Sequence, residues 1–490
     1  MRNYRHILSY GLLVCAFAWT LWFVFAGFGN HQDPLYWLYK YQTLQGGWLA
    51  TGTLLTGGTI VRLFGAQLLP LRLAAWLCVV TAIALPYCCL LTKEQRRDNV
   101  HWLALAYLLM GYGAFQEFSP GTLSVLLLST LWVTQSPVAL GIAIAVRFPN
   151  ILALLVLIPI WKKRCLWNIP IAAVSAGIVY LLGYLFVTPS PLDPAMTSHD
   201  FLPMLTKLWE NSGKLILYAF IAVGILAFKD KKYAGYIVGA MMAIVAFYTT
   251  KPHQWYNTDL TYMISALVLV LALARKQYVG AAILVVATLG TDTAWLKLFP
   301  AVLCLLPVTA AEYNVPVRRY LFAVMTFFCA VVVWRMTTNS IGQSNLTQTD
   351  TIASVAPYKG IAIRQAEQQR MLQYKTDVDS LRVNNQQSSI LAIGQENHLM
   401  RAVTGCEAAK YNEFWSNIFD SVYTDKYRQV IREQRPIVLC SFSPQFKTKS
   451  VYKDKESCME NMLREEGYRE IDRSKFKYMI YIPENDTEVQ

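Results

Sequence analysis

The strongest constraint on the fold of this chain is a series of long apolar runs. The first, ILSYGLLVCAFAWTLWFVFAGF, covers residues 7–28. A membrane-spanning helix takes about 20 consecutive apolar residues, so this run is long enough to cross a bilayer. It is longer than the apolar part of a signal peptide and no A-x-A pattern follows it, so we interpret it as a retained helix. The chain is 55% hydrophobic and 15% charged, which is too apolar for an ordinary soluble protein.

Further apolar runs follow through the first two thirds of the chain. They cover residues 71–92, 100–115, 121–133, 137–146, 151–161, 167–187, 213–228, 233–249, 257–274, 277–290, 298–311 and 320–336. With the first run they predict a polytopic α-helical membrane protein of about thirteen transmembrane helices.

The basic residues indicate how the chain is oriented. If the N-terminus is cytoplasmic, the loops on the cytoplasmic side hold 15 Lys and Arg residues, and the opposite side with its helix ends holds 9. Cytoplasmic loops carry an excess of Lys and Arg, so we predict a multi-pass protein of the cytoplasmic membrane with its N-terminus inside and its C-terminal part outside. The net charge of +13 lies wholly in the membrane half, because residues 337–490 carry 20 basic and 20 acidic residues. This charge sets the topology and indicates no nucleic-acid partner.

Beyond the last run, the pattern changes to that of a small α/β domain. We predict a transmembrane domain over 1–336, with an outward first loop at 29–70, and a linker followed by an extracytoplasmic α/β domain over 337–490. Three strands, at 388–394, 437–442 and 475–483, alternate with helices, one of them beginning at the KGIAIRQ segment from Lys359. The three cysteines Cys406, Cys440 and Cys458 allow one disulfide, and with no CxxC pattern they do not predict a metal site.

Acidic residues concentrate on the predicted outward side of the membrane half. The seven that face outward, at helix ends, are Asp33, Glu117, Asp193, Asp200, Glu210, Asp259 and Asp292. Transporters place their ionisable groups within the spans, whereas an enzyme working at the outer surface places them at the helix ends. This distribution favours an enzyme at the outer face.

Asp33 is the first of these acids and precedes Pro34 in the first loop. Asp followed by Pro is typical of a helix start, so Asp33 has a capping role in one interpretation. A capping carboxylate stays ionised and can also accept a proton or bind a metal. The following PLYWLYKYQTL and residues 49–65 predict two interfacial helices at the lipid headgroup level.

Glu117 and Arg147 each allow a structural and a functional interpretation. Glu117, between Phe115 and Phe118, is either a turn residue near the helix start at Pro120 or a buried acid. Arg147 interrupts an apolar stretch, where it serves either as an interface anchor or as a phosphate ligand.

The outward loop YTTKPHQWYNTDL supplies further candidates. Lys251 and His253 could hold a phosphate, and Tyr256 could stack on a sugar or belong to the aromatic belt of the membrane. Arg62 and Arg72 are further outward cations that we include among the candidate substrate-binding residues.

The layout of the chain resembles the GT-C class of integral membrane glycosyltransferases, in particular the protein O-mannosyltransferases and the aminoarabinose transferases of lipid A. The residues that carry the resemblance are Asp33, Tyr39, Gly46 or Gly47, Phe64, Gly65, Arg72 and Leu73. The resemblance covers residues 1 to about 336. It implies that Asp33 is catalytic, that Glu117 supports it, and that Arg147 and Lys251 bind a lipid phosphate.

The resemblance also implies the reaction and its partners. A hexosyl or pentosyl group would pass from a polyprenyl-phosphate donor to a lipid, glycan or protein acceptor among membrane lipids. Family members often carry adjacent acids in this loop, whereas this chain has a single acid in the sequence QDP. No metal ligand is therefore assigned, and a requirement for a divalent cation is left open.

Three other functions remain open from the residues. A flippase or transporter of a lipid-linked sugar would place polar residues within the spans, and a polysaccharide polymerase or ligase would depend on outward Arg and His residues. A membrane scaffold presenting the C-terminal domain would not need clustered outward acids.

Overall fold

The computed structural model describes residues 2–27, 32–47, 50–110, 117–189, 258–286, 294–338, 349–385, 389–394, 397–404, 407–408, 421–441, 460–471 and 479–484. The chain divides into two compact units. The membrane unit comprises Met1–Gly29, Lys40–Gly65 and Leu69–Thr349, and the C-terminal unit comprises Asn30–Tyr39, Ala66–Leu68 and Asp350–Gln490. Two pieces of the predicted first loop therefore belong to the C-terminal unit.

The first part of the chain is helical wherever the sequence predicts a span and the structure describes the residues. Its helices are α1 (Arg2–Phe25), α2 (Gln32–Thr43), α3 (Thr51–Phe64), α4 (Leu68–Leu90), α5 (Lys93–Leu109), α6 (Pro120–Thr134), α7 (Pro137–Val146), α8 (Leu154–Trp161), α9 (Cys165–Phe186), α10 (Thr258–Ala274), α11 (Tyr278–Val285), α12 (Ala294–Ala311) and α13 (Val315–Thr338). Short 3₁₀ helices occupy Phe148–Ala153 and Lys162–Arg164. The predicted runs 213–228 and 233–249 lie outside the described residues, so the total of thirteen spans stays a prediction.

Several of these helices are suited to a bilayer. Within the described ranges, four stretches are long and apolar enough to cross a membrane, namely His6–Phe25, Leu68–Leu90, Phe148–Phe186 and Val317–Trp334. Shorter apolar helices occupy Pro120–Thr134, Pro137–Val146, Thr261–Ala274 and Phe299–Ala311. The stretch of 39 residues from Phe148 to Phe186 is interrupted by the basic segment Lys162–Arg164, which separates two runs that the sequence predicts as spans. These helices indicate a multi-pass membrane protein.

Local sequence signals explain where helices begin. At the start of α5, Thr92 and Gln95 form a capping box, in which the Gln95 N–H donates to Thr92 Oγ1 at 3.3 Å and the Thr92 N–H donates to Gln95 Oε1 at 3.0 Å. At the start of α7, Ser136 Oγ accepts from the Ala139 N–H at 3.4 Å, and Pro137 occupies the first turn.

Loops predicted on the cytoplasmic side contact one another. Gln277, after α10, donates to Glu312, after α12, with 3.0 Å between Nε2 and Oε1. Arg318, near the start of α13, donates to Asn99 Oδ1 at 3.3 Å. Each contact joins two segments that the sequence predicts on the cytoplasmic side. The two segments of each pair therefore lie at the same end of the helices, as the predicted alternation of span directions requires.

The C-terminal unit contains the predicted α/β pattern. Its strands are β5 (Ser389–Gly394), β6 (Glu407–Ala408), β7 (Ile437–Ser441), β8 (Tyr468–Glu470) and β9 (Met479–Pro483), and its sheet order is β6-β5-β7-β9-β8. Strand β5 pairs in parallel with β6 and β7, whereas β9 runs antiparallel to β7 and β8. Central β7 is apolar and buried from Ile437 to Cys440, as expected for a strand covered on both faces.

Helices and short strands complete this unit. The helices are α14 (Gln365–Asn385), α15 (Asn397–Thr404), α16 (Ser421–Gln434) and a turn over 460–465. A short antiparallel pair joins β3 (Thr351–Ile352) to β4 (Ala362–Ile363), and in the membrane unit β1 (Gln45–Gly46) pairs in parallel with β2 (Thr188–Pro189). The sequence did not indicate the edge strands β6 and β8, which are two and three residues long.

The helix predicted from Lys359 begins later than expected. Ala362 and Ile363 are in β4, and α14 starts at Gln365. The reason is a local cap, because buried Glu367 accepts from the backbone N–H of Arg364 at 3.2 Å and from its guanidinium at 2.8 Å. Burial raises the pKa of Glu367, and these contacts with Arg364 oppose that shift.

The sequence allows one disulfide among the three cysteines of the C-terminal part. Cys440 is buried in β7, and the one disulfide that the sequence allows stays a prediction. Cys406 and Cys458 lie outside the described residues.

Candidate functional site

Arg72 connects the two ends of the first loop within the membrane unit. Its side chain, 1% exposed in the first turns of α4, donates from Nη1 to the carbonyl of Gly27 at 3.0 Å. Gly27 lies just after α1 and has a φ of 92°, a conformation that glycine adopts without the strain a Cβ would cause. The structure thus gives Arg72 a role in fixing the chain where it leaves the first helix.

The last turn of α2 is attached to the loop that contains Glu117. Tyr41, 1% exposed, donates its hydroxyl proton to the carbonyl of Phe118, and their rings pack edge to face with centroids 6.0 Å apart. Gly57 in α3 lies so close that an added Cβ would stand 2.4 Å from the Tyr41 ring. Glycine here lets α3 approach α2 and leaves the ring of Tyr41 room.

The start of α3 packs against the ends of α7 and α9. Thr53 donates its hydroxyl to the carbonyl of Val146, the last residue of α7, at 3.1 Å. A Cβ on Gly183 of α9 would stand 2.1 Å from Cγ2 of Thr51, so only glycine fits there. The N–H of Thr188 also donates to the carbonyl of Leu44 at 2.9 Å, which pairs β2 with β1.

Arg147 lies in the turn that follows α7. It is 9% exposed, and its N–H donates to Ala143 while its carbonyl accepts from the Asn150 N–H, each at 3.0 Å. The fully buried side-chain amide of Asn150 donates to Ser124 Oγ at 3.0 Å and to the Ala143 carbonyl at 2.8 Å. The turn is therefore held rigidly against the start of α6, and the burial of Arg147 is unlike that of an exposed interface anchor.

These contacts bring together one set of helix ends. Apart from the contact between Arg72 and Gly27, they join the last turn of α2, the start of α3, the loop before α6, the end of α7 and the end of α9. All of these are ends that the sequence places on the outward side. We call this set of segments the loop-end cluster.

Of the predicted acids, Glu117 lies in the loop-end cluster, whereas Asp33 belongs to the C-terminal unit. Asp33 is the second residue of α2, and its side chain lies outside the described part of the structure. The helix begins at Gln32, so Asp33 is in the first turn, within the usual uncertainty of a helix boundary. Glu117 is half-buried, and its carbonyl accepts from Thr122 Oγ1 at 2.9 Å.

Of the remaining candidate residues, one is exposed and three lie outside the described part of the structure. Arg62 is exposed near the end of α3, beside Leu63 and Phe64, which are 72% and 62% exposed. Lys251, His253 and Tyr256 lie outside the described residues. Their predicted roles in binding stay predictions.

The prediction that α2 lies at the membrane surface is wrong in one respect. Its residues from Pro34 to Tyr41 are buried apart from half-buried Trp37. A helix that is apolar around most of its circumference is stable when covered on most sides, and α2 is of this kind. The end of α3, with exposed Leu63 and Phe64, retains the character expected of an interfacial helix.

Sequence reasoning missed Lys40, Asn150 and Ser124. Lys40 is 1% exposed in α2, while Asn150 and Ser124 are fully buried beside the Arg147 turn. The signal for Lys40 was its place in a helix with apolar and aromatic residues on most faces, because burial of such a helix also buries its lysine. Asn150 and Ser124 carry no such signal, since single polar residues in apolar runs are common. The cluster thus contains the buried cations Lys40 and Arg147.

A protein metal site needs several donor side chains close together. Among the residues that the structure describes, no group of three or more His, Cys, Asp or Glu side chains lies close enough together to hold a metal. Asp33, whose side chain is not described, falls outside that statement.

No protein-family model and no curated protein matches this chain. Among solved structures it is similar to the crystal structure of ArnT from Cupriavidus metallidurans in the apo state, with a TM-score of 0.41 and 12% sequence identity over 97% of this chain and 98% of that chain. At this identity and TM-score, the likeness is no basis for assigning an activity.

Proposed function

We propose that the protein is an integral membrane glycosyltransferase of the GT-C type, which moves a sugar from a polyprenyl phosphate to an acceptor at the outer face of the cytoplasmic membrane. The observation that carries the proposal is the loop-end cluster, which holds half-buried Glu117 and the buried cations Lys40 and Arg147 at the ends of apolar helices. The apolar helices suit a donor with a long lipid tail. The polar groups stand at helix ends that the sequence predicts on the outward side of the membrane, where a water-soluble sugar and an acceptor would meet the lipid-linked donor.

The proposed chemistry is a single displacement at the anomeric carbon. Asp33 takes the proton from an acceptor hydroxyl or amine as that group forms a bond to the anomeric carbon. The bond between this carbon and the phosphate oxygen breaks, and its electron pair leaves with the polyprenyl phosphate. The reaction inverts the anomeric configuration and uses one carboxylate as the base. Glu117, in the loop before α6, supports the base in this proposal.

Cations are needed where the leaving phosphate gains charge. A guanidinium can donate two parallel hydrogen bonds to phosphate oxygens, and such bonds are stronger in a site that excludes water. Arg147 is the strongest candidate, because it is buried in a rigid turn within the loop-end cluster. Lys40 adds a second buried positive charge in α2.

The first test is native mass spectrometry of the full chain in mild detergent. We expect a co-purified polyprenyl phosphate or its sugar ester, and the mass of an attached sugar would identify the donor. Repeated recovery of ordinary phospholipids alone would contradict the proposal and favour a transporter or a scaffold.

The second test is the variant Asp33→Asn, measured by transfer of the sugar so identified. We expect loss of transfer with unchanged thermal unfolding and unchanged lipid binding, because the amide keeps the shape of the side chain and cannot act as a base. Asp98→Asn is the matched control, since Asp98 is in a loop predicted on the cytoplasmic side and lies 3.8 Å from His6 Nε2. Full activity of Asp33→Asn would show that the base is another group.

A further inference from the structure

The first turns of α2, which carry Asp33, belong to the C-terminal unit and pack there against α15. Arg401 of α15 lies over the ring of Tyr39 in α2, with its Cζ 3.7 Å from the ring centroid. The same guanidinium donates from Nη2 to the carbonyl of Leu35 at 3.5 Å. The stacking and the hydrogen bond hold two successive turns of α2.

A second contact lies beside the first. The rings of Tyr36 and His398 meet edge to face with centroids 5.7 Å apart. Leu35 and His398 are at most 1% exposed, and Tyr36, Tyr39 and Arg401 are 5–8% exposed. Water is therefore excluded, which strengthens a cation–π contact relative to the same contact at a surface.

The far end of the first loop is held as well. Ala66–Leu68 belong to the C-terminal unit, and the N–H of Leu68 donates to the carbonyl of Pro357 at 2.9 Å. The C-terminal unit thus includes the first turns of α2 and the entry to α4, the two boundaries of the loop that contains Asp33.

We propose that Arg401 is a positioning residue for the transferase reaction, because its contacts with Tyr39 and Leu35 fix the α2 helix and with it the backbone of Asp33. This inference rests on the proposed function. It assigns the C-terminal unit a role in orienting the catalytic loop, where the sequence had left that domain without one. Arg401 acts through α2, and no contact with substrate is required of it.

The experiment compares four full-length variants in detergent: Arg401→Ala, Arg401→Lys, Tyr39→Leu and the double variant Arg401→Ala with Tyr39→Leu. Arg432→Ala is the matched control, because Arg432 is in the same unit and is an exposed partner of Glu466, with 2.7 Å between its Nε and Oε2. Three quantities are measured for each: hydrogen exchange of the amides in residues 32–39, the kcat for sugar transfer, and the Kd for a polyprenyl phosphate.

We expect Arg401→Ala to speed exchange in residues 32–39 and to lower kcat by about 10- to 100-fold, because a displacement near 1 Å costs that much when a reacting group is misplaced. The Kd for polyprenyl phosphate should stay within a factor of two or so of the wild-type value, since a positioning residue does not hold the donor. Arg401→Lys keeps the charge but lacks the planar guanidinium, so it should restore part of kcat. The double variant should be little worse than the poorer single variant, because both substitutions remove one interaction.

Two outcomes would overturn the inference. One is normal exchange in residues 32–39 for Arg401→Ala, which would show that the contact does not hold α2. The other is faster exchange with unchanged kcat, which would separate the packing of α2 from catalysis. The failure of this inference is distinguishable from that of the proposed function, because an inactive Asp33→Asn with a fully active Arg401→Ala removes only the positioning role. An active Asp33→Asn removes the base assignment, and the positioning role with it.

Discussion

Tyr41 donates its hydroxyl proton to the carbonyl of Phe118, the residue immediately after Glu117. Tyr41 and Phe118 are 77 positions apart in sequence, and their contact fixes the last turn of α2 on the loop that holds Glu117. A shift of either segment must break a buried hydrogen bond, so the two segments are expected to move together.

Replacing Tyr41 with Phe tests this connection. The variant leaves the buried carbonyl of Phe118 without this donor, and losing one partner of a buried pair costs about 1–3 kcal/mol. We expect a lower midpoint of thermal unfolding and a lower kcat. Tyr107→Phe is the control, because the Tyr107 hydroxyl donates to the Val80 carbonyl at 3.2 Å between α5 and α4, away from the loop-end cluster. A comparable loss of stability with normal kcat in Tyr41→Phe would show that the contact serves folding alone.

Arg147 is expected to contribute to donor affinity. Removing a charge-assisted hydrogen bond costs about 1.5–3 kcal/mol, which corresponds to roughly a 10- to 100-fold weaker Kd for polyprenyl phosphate in Arg147→Ala. Arg147→Lys keeps the charge but lacks the two parallel N–H donors of a guanidinium. Its Kd for polyprenyl phosphate should lie between those of the wild type and Arg147→Ala. The binding can be measured by titration in detergent, with Arg164→Ala as the control because Arg164 is exposed in the basic segment after α8. An unchanged Kd in Arg147→Ala would assign Arg147 to the packing of the turn.

The close approach of α9 to α3 gives a prediction about stability. Gly183→Ala would place a methyl group 2.1 Å from Thr51 Cγ2, and overpacking of this kind costs about 1–3 kcal/mol. Adding Thr51→Ser should recover most of the loss, because serine lacks that methyl group and keeps the hydroxyl. Thermal unfolding in detergent measures both effects.

Gly177→Ala provides the control on the same helix. An added Cβ at Gly177 meets nothing within 4 Å, so the substitution should not lower the unfolding midpoint. If Gly183→Ala unfolds at the wild-type temperature, α9 and α3 are not as tightly packed as their glycine contact indicates.

The helices were predictable because their signals are local and strong. A run of apolar residues as long as 7–28 has few alternatives to a spanning helix, and Thr92 with Gln95 marks the start of α5 in four letters of sequence. The strands at 388–394 and 437–442 were found for the same reason, since both are short apolar segments bounded by turn residues. Edge strands β6 and β8 were missed because two or three residues carry no periodicity.

The environment of α2 was not predictable from the same kind of evidence. Aromatic and leucine side chains around a helix suit either a lipid surface or a protein interior, and composition alone does not separate the two. The partner that covers Leu35 and Tyr39 is Arg401, which is more than 360 positions away in sequence. In the candidate site, the sequence singled out Arg147 as an unusual residue. Its hydrogen bond from Asn150 depends on a turn that no local sequence pattern predicts.

The distance along the chain between Leu35 and Arg401 has a consequence for biosynthesis. The two residues are 366 positions apart, and ribosomes add about 5–20 residues per second, so α2 waits on the order of 20–70 s for the segment that packs against it. During that interval the aromatic residues of α2 can rest on the bilayer surface, for which their composition is suited. A chain that stops before Arg401 would lack the segment that covers Leu35 and Tyr39, so the proposed activity would depend on synthesis of the C-terminal unit.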